Sequence, residues 1–523
     1  MGGERKKVLW VDDEIEFLRS HIMFLETRGY SVIPVFSGDD AIELLHERPR
    51  EFDIVLLDEQ MPGKDGLTTL EEIKAFLPDL PVVMVTKSEE EHVMEDALGK
   101  KIDGYLTKPV NPSQILSVCK SLLHSKQIIS NQVSTRFVRA FSQHRAALAR
   151  DLSAQDWMSL YRSLTMWDFE LEQVEDEGVR QSHAGQKSDS NAAFAEFVIE
   201  HYPQWMRGES RPPRLSHTVM DEFIAPRIVS GENVVMVVLD CMRLDQYLAI
   251  EKLLRNYFEI ERHGFFTILP SATRYARRTL LSGLLPDELA QHYPQILTED
   301  DDSVYADATF EKQLLKDYFA RKNIKLNPKE SFLATIANNA DAQNLLNSIG
   351  KIEKSRMSTL VVNFVDLLTQ SHTTSALLRD IAPDESSFRA LTQSWFQNST
   401  LFQILRELAQ RKITIVLTTD HGSMLCSRGT ELYGTDAISP TVRYYAGKGL
   451  NSDERHTFYV STPAQYRLPP VEEDFTYLLA RENYYFVAPD NFENFQNQYQ
   501  PSFYYGGISM EEMIVPLAVL RAR

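Results

Sequence analysis

Three apolar, β-branched runs in the C-terminal half each stop at an aspartate: Val234 to Leu239 before Asp240, Leu360 to Val365 before Asp366, and Ile415 to Thr419 before Asp420. Runs of this length read as strands of a parallel sheet buried on both faces. Open α/β sheets bind ligands in the crevice at the carboxyl ends of their strands, so the pattern gathers three acids at one sheet edge. His421 follows Asp420 directly. A set that mixes carboxylate and imidazole suits Zn²⁺ or Mn²⁺ better than Ca²⁺, which takes oxygen ligands alone.

A chain of 523 residues is too long for one core and predicts about two to four domains. Hydrophobic content of 43% and charged content of 25% match a water-soluble globular protein, and no run of about 18 apolar residues predicts membrane insertion. Met1 to Lys7 is polar and leads straight into a strand, without the apolar region of a secretory signal. The three cysteines, Cys119, Cys241 and Cys426, are widely spaced; they fit a reducing cytoplasm and exclude a disulfide framework. A net charge of −19 repels a nucleic-acid duplex, and neither zinc-finger spacing nor a helix-turn-helix is present, so DNA binding is disfavoured as the output.

Residues 5 to 123 alternate strand and helix: Val8 to Val11, Ser31 to Val35, Ile54 to Leu57, Val82 to Val85 and Gly104 to Leu106 read as five strands of a doubly wound domain. From His124 the β signal disappears. Phe137, Phe141, Leu148, Leu152, Trp157, Leu160, Leu164 and Trp167 recur three or four apart and predict two or three amphipathic helices. Glu175 to Asn191, polar and poor in apolar residues, reads as an exposed loop between helices. Pro212 and Pro213 stop regular structure before a second α/β region. The expected fold class is thus α/β, with a doubly wound domain over 1–123, an α-helical linker bundle over 124–212 and a larger α/β effector domain over 213–523.

In the first domain Asp12, Asp13, Asp58 and Lys108 fall at one sheet edge, where three carboxylates need a cation among them. Mg²⁺ takes such oxygen ligands and bridges to phosphate oxygens, while Lys108 can hold a phosphoryl group as a point charge. Asp58, ending a central strand, is placed to form an acyl phosphate. Val11-Asp12-Asp13-Glu14, Leu57-Asp58-Glu59-Gln60-Met61-Pro62-Gly63, Thr86 and Thr107-Lys108-Pro109 together resemble a CheY-type receiver domain of a response regulator. That resemblance implies Asp58 as phosphoacceptor, a Mg²⁺ site of Asp12, Asp13, Asp58 and Gln60, Thr86 and Tyr105 as the switch pair, Lys108 on the phosphoryl group, and a cis Lys108–Pro109 bond.

In the effector region, Leu269-Pro270-Ser271-Ala272-Thr273-Arg274 opens a helix. A hydroxyl there lies beside orphan N–H groups that stabilise an anion, and a bound metal could lower its pKa for attack on phosphorus. Asp240, Thr273, Asp366 and Asp420-His421 fall in the order of the alkaline phosphatase superfamily, and within it resemble the PglZ domain. The resemblance implies one metal site of Asp240, Thr273, Asp420 and His421, with Thr273 as nucleophile and Ser271 as runner-up. It also implies a second metal site of Asp366 and two histidines. Gln370 stands four residues after Asp366, His372 comes two residues too late for the same helical face, and Tyr505 stands where the last histidine is expected. Gln and Tyr are poor zinc partners, so one ion is expected. His372 reads as a surface histidine. Arg243, Arg274, Arg277 and Arg278 are either solvated or clamp a phosphate, and the aromatic tail from Tyr484 to Tyr505 is expected to pack over the sheet.

Receiver, helical linker and PglZ-like domain in this order resemble the PorX-type response regulators associated with type IX secretion. The resemblance implies a cytoplasmic protein phosphorylated by a sensor histidine kinase, a phosphorylation-dependent homodimer, a metal-dependent phosphodiesterase or phosphatase acting on a nucleotide or other phosphoester, and contacts with a sigma factor or the secretion motor. The alternative is a catalytically degenerate domain that acts as a dimerisation and protein-interaction switch.

Overall fold

The computed structural model describes residues 5–49, 51–87, 102–172, 174, 176–294, 307–327, 330–434, 441–469, 474–488 and 501–523. It divides into two compact units, Met1–Arg136 with Gln173–Glu175, and Phe137–Glu172 with Asp176–Arg523.

The first unit runs β1 (Lys6–Val11), α1 (Arg19–Glu26), β2 (Tyr30–Val35), α2 (Gly38–Glu47), β3 (Ile54–Asp58), α3 (Gly66–Phe76), β4 (Val82–Thr86) and β5 (Gly104–Thr107), and then enters α4 (Pro112–Leu148), within which the division between units falls. All five strands are parallel, in the order β2-β1-β3-β4-β5. Successive residues of β1 and β3 feed opposite faces: Leu9, Val11, Val55 and Leu57 pack on one side, Val8, Trp10, Ile54 and Leu56 on the other. Two buried faces explain why these strands are apolar at every position. The strand order reverses between β1 and β3, which places Asp12, Asp13 and Asp58 at the switch point where such sheets bind ligands. The Lys108–Pro109 bond is cis, as expected.

The second unit begins with the C-terminal part of α4, followed by α5 (Ala154–Leu171), which Ser153 and Asp156 close with a capping box, and α6 (Glu177–Arg207). Helix α6 corrects the loop expected over Glu175 to Asn191. Asp176 caps it, and its buried face there is polar: Gln186 donates to Phe141 O at 2.9 Å, Ser190 to Gln186 O at 2.7 Å, and Asn191 to Glu511 Oε2 at 2.9 Å. A helix that buries satisfied polar groups shows no apolar periodicity to read.

The effector sheet has six strands: β6 (Val234–Leu239), β7 (Phe258–Phe266), β8 (Ser331–Ile336), β9 (Met357–Val362), β10 (Thr414–Thr418) and β11 (Ile514–Ala522), in the order β7-β11-β10-β6-β9-β8. Strands β10, β6, β9 and β8 are parallel, and β11 runs antiparallel to both β10 and β7. Val235, Val237 and Leu239 pack on one face and Val234, Met236 and Val238 on the other. The helices that position the site are α7 (Leu244–Leu254), α8 (Thr273–Ser282), α9 (Asp307–Arg321), α10 (Phe364–Thr374) and α11 (Glu385–Asn398).

One strand-end aspartate is corrected. Strand β9 stops at Val362, and Phe364, Val365 and Asp366 form the first turn of α10. The Phe364 ring stacks on Trp395 at 3.8 Å between centroids, so this part of the apolar run serves helix packing; an apolar run alone does not separate a strand from the start of a buried helix. The aromatic tail forms short strands, Tyr484–Val487 paired with Arg428–Tyr433 and Ser502–Tyr504 paired with Met424–Cys426. Phe492, Phe495 and Tyr499 lie outside the described residues. No helix among the described residues is long and apolar enough to cross a membrane.

Candidate functional site

In the receiver crevice Asp12 and Asp58 are buried and Asp13 is exposed. Their carboxylates all lie within 4.8 Å of one another. Lys108 Nζ reaches both Asp12 Oδ2 and Asp58 Oδ2 at 2.9 Å. Burial pushes the Asp58 carboxyl up; Lys108 pulls it down, and Asp12 and Asp13 push it up again. One ammonium cannot neutralise three carboxylates, and the remaining charge on an all-oxygen set fits Mg²⁺. Gln60 is exposed and shares an open cavity of about 510 Å³ with Asp13, Glu59 and Asp65. Buried Thr86 donates its hydroxyl to Glu59, and half-buried Tyr105 packs against the core face that holds Met84.

In the effector crevice, Asp240 follows β6 directly and Asp420 follows β10 by one residue. One ligand atom from each of Asp240, Asp420 and His421 lies within 4.8 Å of the others, and all three are buried. Thr273, the first residue of α8, puts Oγ1 at 3.0 Å from His421 Nε2 and 3.5 Å from Asp240 Oδ1. His421 Nε2 in turn lies 3.8 Å from Asp240 Oδ1 and 3.9 Å from Asp420 Oδ2. The edge of a tetrahedron with bonds of about 2.0 Å is about 3.3 Å, so these four groups are spaced like zinc ligands.

Backbone geometry fixes the cluster. His421 Nδ1 lies 3.0 Å from the Gly422 carbonyl; that contact puts the proton on Nδ1 and leaves the Nε2 lone pair facing the crevice. Cys241 adopts φ 65, a conformation costly for a side chain, and its N–H donates to Asp420 Oδ1 at 3.3 Å, joined by His421 N at 3.0 Å. Asp420 Oδ2 is buried and has no hydrogen-bond partner among the described residues. An orphaned carboxylate oxygen beside an imidazole lone pair is what a divalent cation would satisfy. Without one, burial and the neighbouring Asp420 push Asp240 well up, whereas in Asp420 His421 and Arg277 overcome burial and hold the carboxyl down.

Gly422 is required for close approach. A Cβ there would sit 2.0 Å from Glu511 O, and its φ is not positive, so the glycine admits a neighbouring backbone instead of enabling a left-handed turn. Glu511 accepts from Asn191 of α6, and Gly422 N donates to Glu512 O at 3.0 Å. These supports were missed in the sequence, because nothing in the spacing links positions 191, 422 and 511.

The second set does not fit Zn²⁺. Asp366 Oδ2 accepts from Gln370 Nε2 at 2.8 Å, and the Tyr505 hydroxyl also acts on the Asp366 carboxylate and favours its charged form. Burial, then Asp366, pushes the Tyr505 phenol well up and keeps it neutral, with its ring 4.6 Å from that of His421. Tyr505 and Gln370 thus occupy this corner as neutral groups. His372 is no surface residue: it is fully buried, with Nδ1 at 2.8 Å from Ser502 Oγ and Nε2 at 2.9 Å from Ala382 O, so neither nitrogen is free. Ser271 is also turned away, donating to Gly507 O at 2.8 Å. Of the arginines, Arg277 enters the site, 2.6 Å from Asp240 Oδ2. Arg243 instead grips Asp245 through Nε at 2.8 Å and Nη2 at 2.7 Å, and Arg278 packs over Phe310.

Residues 219–520 match the family of the BREX system PglZ alkaline phosphatase-like domain, more than half of the chain. The chain belongs to the PglZ family. Ahead of the PglZ domain, residues 8–120 match the response regulator receiver domain and residues 127–206 the PorX response regulator linker domain. The three matches follow the order of a PorX-like response regulator. Similar solved structures include the CheX-CheY-BeF3-Mg+2 complex from Borrelia burgdorferi, 27% identical over 22% of this chain and 87% of that one, TM-score 0.22. A CheY-like receiver domain protein from Methanospirillum hungatei JF-1 is 29% identical over 23% and 95%, TM-score 0.22.

Proposed function

We propose that the chain is a response regulator with three modules, receiver (1–123), linker (124–212) and PglZ effector (213–523), whose effector is a one-metal phosphoester hydrolase. A sensor histidine kinase phosphorylates Asp58 with Mg²⁺ held by Asp12, Asp13 and Asp58 and Gln60 beside them. The added phosphoryl group brings about two negative charges to the sheet edge, where Lys108, Thr86 and Tyr105 read it out as a shift between two surface states, and the phosphorylated form dimerises.

In the effector, Asp240, Asp420, His421 and Thr273 hold Zn²⁺ or Mn²⁺, which when bound lowers the pKa of the Thr273 hydroxyl and neutralises a phosphate. Thr273 Oγ1 would attack phosphorus as the P–O bond to the ester's leaving oxygen breaks, the hydroxyl proton ending on the departing alcohol, and water would then cleave the phosphothreonine ester, releasing the phosphate product and restoring the hydroxyl. Its place at the start of α8 puts backbone N–H groups and the helix dipole beside the anion. Arg277, one turn along, keeps one face of Asp240 charged and fixed. The observation that carries this reading is the 3.0 Å approach of Thr273 Oγ1 to His421 Nε2 inside the acid cluster. The substrate class is a phosphate ester or nucleotide phosphodiester, the compartment is the cytoplasm, and the regulated process is type IX secretion, reached through a sigma factor or the secretion motor. Hydrolysis of an aryl phosphodiester should depend on Zn²⁺ or Mn²⁺ and vanish in Thr273→Ala; turnover that survives in Thr273→Ala sinks the reading.

The neutral Gln370 and Tyr505 beside Asp366 favour a second reading, a degenerate effector that only gates dimerisation. Under it the wild type hydrolyses no phosphoester with either metal, while sedimentation mass still rises with an acyl-phosphate mimic.

A further inference from the structure

A second cavity, of about 370 Å³, opens between α5 and the edge strand β7. Arg162, Arg214, Arg262 and His263 line it, and no carboxylate does. Carboxylates outside the lining hold three of these groups, Glu222 on Arg214, Glu251 on Arg262 and Glu261 on His263, so the wall presents oriented guanidinium edges and one uncompensated charge, that of Arg162. The arginines also have donors to spare among the described residues. Exposed Arg162 makes no hydrogen bond or ion pair with any of them. Arg214 uses Nε on Glu222 and Nη1 on Gly264 O, leaving Nη2. Arg262 uses Nε and Nη2 on Glu251, leaving Nη1. Guanidinium groups with free N–H edges match phosphate oxygens in geometry and charge.

The rest of the lining sets the kind of phosphate. Half-buried Met158 and Leu244 give an apolar floor, backed by buried Ile514, Val515 and Pro516, and a volume near 370 Å³ falls in the range of small-molecule sites, about 300–1,000 Å³. Gln155 and Leu244 lie in the first turns of α5 and α7, whose N-terminal ends add positive potential. The cavity shares no lining residue with the metal crevice. His263 pairs with Leu517, which pairs with Thr418, so β7 stands two strand spacings, about 10 Å, from the strand that carries Asp420.

We propose that this cavity binds a small organic phosphate, a phosphate group with an apolar body of mononucleotide size, at the junction of linker and effector. The anion lies against Arg162, Arg214 and Arg262, and the apolar body lies on Met158 and Leu244. Because α5 supplies one wall and β7 and β11 the other, occupancy ties the linker to the catalytic sheet.

Calorimetry on the metal-free full chain at low salt, with AMP and inorganic phosphate as probes, tests this. AMP should bind the wild type saturably, and both Arg162→Glu and a change at Ser159, which also lines the cavity, Ser159→Glu, at exposed positions where folding has little at stake, should weaken it at least about tenfold. Asp420→Asn, in the separate crevice, should leave it unchanged. Inorganic phosphate, which cannot use the floor, should bind at least about tenfold more weakly than AMP. Absence of saturable AMP binding overturns the proposal, as does wild-type affinity in Arg162→Glu and Ser159→Glu, loss of binding in Asp420→Asn, or phosphate binding as tight as AMP.

Discussion

Arg277 Nη1 lies 2.6 Å from Asp240 Oδ2 while its Nε lies 2.7 Å from Glu311 Oε1. A guanidinium held from α9 thus occupies one oxygen of Asp240 and turns the other toward Thr273 and His421. The buried acids of the crevice therefore depend on Arg277 when no metal is bound. Arg277→Gln should lower the unfolding free energy of metal-free protein by about 3–5 kcal/mol, the usual penalty for removing one partner of a buried ion pair, and added Zn²⁺ should recover part of the loss. A change below about 1 kcal/mol in denaturant unfolding would show that the pair does not hold the crevice.

Ser271 and Thr273 stand two residues apart with opposite environments. Thr273→Ala should cut phosphodiester turnover at least about a thousandfold. Ser271→Ala, which loses only the bond to Gly507 O, should stay within about tenfold of wild type in kcat. Equal losses in the two variants would reassign the nucleophile.

Gly422 leaves no room for a methyl group against Glu511 O. Gly422→Ala must displace either His421 or the 511 backbone, so zinc affinity in the effector should fall by more than about tenfold, while Asp58 phosphorylation proceeds at the wild-type rate. Titration with a chelating indicator reads this, and unchanged affinity would mean that the loop relaxes without moving His421.

Asp245 is buried between Arg243 and Arg389. Burial alone would raise its carboxyl, but Arg243 first and then Arg389 overrule it and hold it far below the usual carboxylate range. A carboxylate depressed by folding contributes stability above its unfolded value of about 4, and the contribution is lost as pH falls below that value. Unfolding free energy should therefore drop below about pH 4, and Asp245→Asn should flatten that acid limb while losing about 3–5 kcal/mol at neutral pH. An unaltered acid slope in Asp245→Asn would place the titration elsewhere.

Much of this was legible because strand ends are punctuated chemically. The five receiver strands, Asp12, Asp13, Asp58 and Lys108, and the Asp240, Thr273, Asp420 and His421 set all sit where short apolar runs give way to polar residues, and the parallel sheets gather them. The misses share another cause. Helix α6 buries Gln186, Ser190 and Asn191, so a polar stretch looked like a loop; His372 is buried because Ser502 and the Ala382 carbonyl satisfy it; and Asp366 belongs to a helix whose first turn looks like strand. Each depends on partners more than 100 residues away or on a packing choice that local pattern does not encode, as Asn191 and Glu511 illustrate.

The central claim is one catalytic metal per effector, held by Asp240, Asp420 and His421 and not by the Asp366 corner. Zinc per chain, measured by elemental analysis after dialysis together with zinc-dependent phosphodiester turnover, tests it most directly. The account predicts one zinc per wild-type chain, none in Asp420→Asn and one in Asp366→Asn, with turnover tracking the zinc. Two zinc ions per wild-type chain, or one that is lost with Asp366 and kept without Asp420, would contradict it.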